Sequence, residues 1–74
     1  MFLRGRFYMH KKAADVCALI TDDCGNSIYE VQWYVLGKVG TPTPLNENVE
    51  QIFMHSDVWH DITENIKEPR EKWS

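Results

Sequence analysis

The apolar run Val16-Cys17-Ala18-Leu19-Ile20, the polar cluster Asp22-Asp23-Cys24-Gly25-Asn26 and the alternating segment Ser27 to Leu36 decide how this 74-residue chain folds. Five apolar side chains in a row, bounded by a turn signal, are too few for a helix and mark a strand covered on both faces. Asp and Asn tolerate left-handed backbone angles and Gly adopts them without steric cost, so residues 22–26 predict the reversal of a hairpin. In the returning strand Tyr29, Val31, Trp33 and Val35 share one face, all aromatic or β-branched, and are expected to face the core. Ile28, Glu30, Gln32, Tyr34 and Leu36 share the other.

Outward from this hairpin, Phe2 to His10 also alternates. Leu3, Gly5, Phe7 and Met9 fall on one side, and Phe2, Arg4, Arg6, Tyr8 and His10 on the other, which predicts a strand with one amphipathic outer face. Lys11 to Ala14 predicts a turn or a single helical turn. Beyond the hairpin, the two glycines and two prolines of Gly37 to Pro44 predict a long loop, because Pro removes ladder donors. Val49 to His55 regains strand character through Ile52, Phe53 and Met54. Val49, Ile52, Phe53 and Ser56 fit helical spacing as well, which leaves an α+β alternative with a helix over Val49 to Trp59. Ser56 to Trp59 predicts a capped helical turn with Val58, Trp59 and Ile62 turned inward, and Asp61 to Ile66 a last short strand.

The expected fold class is therefore all-β, or β-rich with one short helical turn. A small SH3-like barrel or a rolled antiparallel sheet of four to five strands satisfies the pattern first, an OB-like roll second, since closure removes aggregation-prone edges. Residues 1–66 form the single expected domain, and 67–74, charged and holding Pro69 and Trp73, a flexible tail. A hydrophobic share of 43% with 26% charged residues belongs to a folding chain rather than a disordered one. Nine aromatics are expected to replace the staple that so small a core otherwise needs.

Met1 to Arg6 lacks the apolar stretch of a secretory signal and the chain has no long apolar run, so the sequence predicts a cytoplasmic protein with no membrane segment. Two free thiols, Cys17 and Cys24, follow from that compartment. Charge is unevenly placed: residues 1–12 carry +4 and residues 13–63 carry −7, within a net charge of −3. Mutual neutralisation inside the fold is the plain expectation.

His10, His55, His60 and the two cysteines show no metal-ligand spacing, and neither cysteine has an orienting partner for nucleophilic catalysis. The sequence accordingly predicts no enzyme, no metal, no cofactor and no small-molecule substrate. Asp22, Asp23 and Asn26 depart from the calcium-loop pattern, and Gly37 and Gly40 lack the helix a phosphate loop requires. Two surfaces stand out. Tyr34 and Trp59 beside Pro42 and Pro44 resemble in kind the aromatic and proline-stiffened surfaces that bind extended peptides. Arg4, Arg6, Tyr8 and His10, with Lys11 and Lys12, combine the cationic and stacking groups used on single-stranded nucleic acid.

Arg6-Phe7-Tyr8-Met9-His10-Lys11-Lys12-Ala13-Ala14-Asp15-Val16, followed by Gln32-Trp33-Tyr34-Val35-Leu36-Gly37, resembles the small orphan proteins encoded by tailed bacteriophages. That resemblance implies an accessory or host-interacting factor working in the host cytoplasm. The function expected first is a non-enzymatic protein-interaction module that binds a protein partner or itself. A nucleic-acid-binding module using the basic first strand is the rival, and an acidic mimic of nucleic acid the third reading.

Overall fold

The structure is a computed structural model that describes residues 1–13, 15–37 and 40–66. Six strands are formed: β1 Phe7–His10, β2 Val16–Gly25, β3 Ile28–Leu36, β4 Pro42–Pro44, β5 Glu50–Phe53 and β6 Trp59–Asp61. All pair antiparallel in one sheet of order β4-β3-β2-β1-β6, with β5 on β3. The sheet is open, not closed into a barrel, and it has six strands where four or five are expected from the sequence. The strands not expected from the sequence are β4, in the proline segment, and β6, at Trp59–Asp61; β5 falls within the strand expected over Val49 to His55. β4 pairs with Tyr34–Leu36 and β5 with Ile28–Val31, on the same edge of β3. Leu45 N–H donates to the Trp33 carbonyl at 2.9 Å, so β4 and β5 are one edge strand interrupted by a wide bulge at residues 46–49. Pro42 and Pro44 are tolerated because an edge strand owes hydrogen bonds to one side only.

The β2–β3 hairpin forms as expected, but its turn lies further on. β2 runs through Asp22 and Asp23 to Gly25, with register shifts between Ile20 and Asp22 and between Asp23 and Gly25. Asn26 and Ser27, at φ 55° and 64°, make the two-residue reversal. Both central residues of such a turn need positive φ to match the twist of the strands.

The first strand is shorter than the alternation suggests. Gly5, at φ 81°, turns the chain before β1, so Phe2 folds back and is buried, its ring edge-on to Tyr8 at 4.9 Å and to Tyr29 at 5.2 Å. Residues 50–53 are strand, which removes the helical alternative over Val49 to Trp59. Ser56 to Val58 form a turn rather than a helix, closed by Val58 N–H on the His55 carbonyl at 3.3 Å. Trp59 already belongs to β6. The single helical turn of the described chain is the 3-10 turn Thr63–Asn65, where a strand is expected from the sequence.

Both faces of the central hairpin are buried. One cluster gathers Phe2, Tyr8, Ala18, Ile20, Tyr29, Val31 and Met54; the other gathers Phe7, Cys17, Leu19, Tyr34, Ile62 and Ile66. The alternation in β3 thus separates two cores instead of core from solvent: Tyr29 and Val31 are buried in the first, Tyr34 in the second, while Val35 is exposed. The 3-10 turn is held on β1 by Thr63, whose Oγ1 accepts the Phe7 N–H at 2.9 Å. Among the described residues no helix is long and apolar enough to cross a membrane. The tail, with Trp73, lies outside the described residues.

Candidate functional site

Tyr34 and Trp59 do not form one surface. Tyr34 is buried in the second cluster, edge-on to Phe7 at 5.2 Å, and its hydroxyl pKa is raised by burial and by the neighbouring Cys17. Trp59 packs against the first cluster, on the opposite face. Pro42 is buried and Pro44 exposed, both in the β4 edge.

The cationic row is likewise dispersed. Tyr8 is buried, and its hydroxyl accepts the Leu3 N–H at 3.1 Å, leaving no ring face for a base. Arg6 is spent within the fold: its Nε donates to Asp61 and its Nη2 to Glu64 at 3.1 Å. Those two hydrogen bonds raise the guanidinium pKa further. Burial works to raise the Asp61 carboxyl, but hydrogen bonds from Arg6 and Thr63 outweigh it and hold the group below its ordinary value. Arg4, Lys11 and Lys12 remain exposed, with no ion pair among the described residues. Neutralisation of the basic segment by the acidic body therefore stops at Arg6.

Among the described residues, side chains that the sequence does not single out together form a connected polar-aromatic surface on the first face. Trp33 on β3 and Trp59 on β6 are both partly buried, with ring centroids 6.2 Å apart and planes tilted by 36°. Neighbouring strands stand about 4.8 Å apart, so residues three strands apart are separated by roughly 14 Å on a flat sheet. The indoles nonetheless meet, and both pack against the first cluster, which includes Ala18, the fully buried register partner of Trp33. Trp33 Nε1 donates to Glu50 Oε1 at 2.7 Å, a short bond to a charged acceptor. On the other side Trp59 meets His10 edge-on at 5.1 Å, and His10 Nδ1 accepts the Lys12 N–H at 3.1 Å. Lys11 N–H donates to the Val58 carbonyl at 2.9 Å, which fixes the β1–β2 turn beside Trp59.

The resulting row runs Glu50, Trp33, Trp59, His10, then Lys11 and Lys12. Two of the large apolar side chains left exposed border it: Val35 shares the Trp33 face, and Leu45 is hydrogen-bonded to the Trp33 backbone. The set brings partly exposed aromatic rings, apolar neighbours and fixed charges onto one surface. Cys17 is buried, and burial pushes its thiol pKa up to about 11, which silences it as a nucleophile. Cys24 is exposed near the hairpin tip. No group of three or more His, Cys, Asp or Glu side chains gathers among the described residues to hold a metal ion.

Comparison with protein-family models, curated proteins and solved structures finds no match. The functional reading therefore stands on this geometry.

Proposed function

We propose that this protein is a non-enzymatic protein-interaction module whose contact surface is the Trp33–Trp59 patch. The observation that carries the reading is the pair of indoles kept partly exposed, in contact, on a chain whose other described aromatic rings, Phe53 apart, are buried. Trp is the residue type most enriched among those that dominate binding energy at protein interfaces, where it sits among apolar neighbours under a polar rim. Val35 and Leu45 supply the neighbours, and Glu50, Lys11 and Lys12 the rim. An accessory or host-interacting role, as implied by the phage resemblance, fits such a module.

The nucleic-acid reading loses support from the burial of Tyr8 and from the commitment of Arg6 to Asp61 and Glu64. Light scattering with a mixed pool of single- and double-stranded oligonucleotides at low salt separates the two. The module reading predicts no oligonucleotide-dependent rise in mass. A rise that disappears with added salt would refute it in favour of a backbone-binding domain.

A further inference from the structure

Opposite charges stand at the two ends of the aromatic row. Glu50 closes it at Trp33, with Glu47 three residues earlier in the bulge. Lys11 and Lys12 close it at Trp59 and His10, exposed and without an ion pair among the described residues. A surface that is negative at one end, aromatic in the middle and positive at the other is complementary to itself: a two-fold rotation about its centre brings each charged end onto its opposite.

We infer that the occupant of the Trp33–Trp59 patch is a second copy of this chain, docked about a two-fold axis that lays the Lys11–Lys12 turn of each copy against Glu50 of the other. This rests on the reading of the patch as a protein-contact surface. Three features support the two-fold arrangement. Closed two-fold pairing is the commonest symmetry of soluble homo-oligomers and uses one patch twice, so a single self-complementary row suffices. Among the described residues none of Lys11, Lys12 and Glu50 has an ion pair, whereas Arg6, outside the row, is engaged by Asp61 and Glu64. Glu50 is also held in place by the Trp33 indole N–H, so its carboxylate needs little further ordering when a partner cation arrives.

The symmetry makes a demanding test. Sedimentation equilibrium of the full chain at low salt is expected to give a mass rising from monomer to dimer with concentration, and a shift toward monomer in high salt. Glu50→Lys alone, and Lys11→Glu with Lys12→Glu alone, each set like charges against each other at both ends of the row, and each variant is expected to sediment as a monomer. Mixed in equal amounts, the two variants present opposite charges at both contacts and are expected to form the heterodimer. One chain carrying all three substitutions is expected to dimerise again. Circular dichroism of each variant establishes that it is folded, and the lysine variant leaves the Trp33–Glu50 hydrogen bond intact should Glu50→Lys disturb the sheet. A wild-type monomer at every concentration overturns the second-copy occupant while leaving the oligonucleotide result, which decides the module reading, untouched. A dimer that survives both charge reversals, or single variants that fail to recombine, overturns the two-fold register.

Discussion

Phe2 sits one residue from the start of the sequence, where a side chain ordinarily matters little, yet it is only 7% exposed and covers one core. Its ring is edge-on to Tyr8 at 4.9 Å and to Tyr29 at 5.2 Å. Phe→Ala in a core costs about 3–5 kcal/mol through lost transfer free energy and the cavity left behind. A domain of this size has about 3–10 kcal/mol of stability in total, so Phe2→Ala is expected to leave a chain that is largely unfolded or close to its midpoint at room temperature. Phe2→Leu keeps most of the volume and forfeits the two edge-on ring contacts, each worth about 0.5–1.5 kcal/mol. It is expected to fold with a clearly lower urea midpoint and an unchanged slope. Urea titrations followed by far-ultraviolet circular dichroism measure both. A Phe2→Ala protein within about 0.5 kcal/mol of wild type, the range of ordinary surface substitutions, would refute the placement of residue 2 in the core.

Asp61 holds its pKa below the ordinary value in the folded state, so it contributes stability at neutral pH that is lost as pH falls below about 4 and through the folded value. Asp61→Asn should lower stability at pH 7 by about 1 kcal/mol, as befits a partly exposed pair with an added backbone hydrogen bond, and by much less at pH 2; equal losses at both pH values would contradict the ionic contribution. Of the two thiols, exposed Cys24 should react with a disulfide reagent at the rate of a free thiol, while Cys17, raised to about 11 and buried, should wait for unfolding; equal native-state rates would disprove the covered β2. Ser27→Gly relieves a non-glycine residue at φ 64° and should raise stability by about 0.5–1 kcal/mol in thermal melts, where a loss would contradict the turn at Asn26–Ser27.

The hairpin was legible because its signals are local: five apolar residues, a turn cluster and an alternating strand. What sequence periodicity does not carry is which face of β3 meets which core. Tyr34 and Tyr29 lie on opposite faces of one strand and both are buried, because Phe2 and Met54 cover one side and Ile62 and Ile66 the other. Those coverings depend on contacts across the whole chain. In the sequence Gly5 reads as one member of an alternating face, whereas in the structure its positive φ ends the alternation and shortens β1. Pro42 and Pro44 argue against a central strand, and their edge position satisfies that argument while still building β4. At the candidate surface the sequence points to Trp59, Lys11 and Lys12 but pairs Trp59 with Tyr34, which is buried on the opposite face. Trp33 and Trp59 are 26 residues apart in sequence, and their rings meet only once β3, β2, β1 and β6 are assembled in one sheet.

Whether the Trp33–Trp59 row is where this chain meets a second copy of itself is read from a dilution series of proton–nitrogen correlation spectra at low salt. The indole N–H signals of Trp33 and Trp59, with the amides of Lys11, Lys12 and Glu50, are expected to move together on dilution while those of Ile28 and Phe53 on the other face stay fixed. Signals unchanged across the series, or changes confined to the Ile28 and Phe53 face, would contradict it.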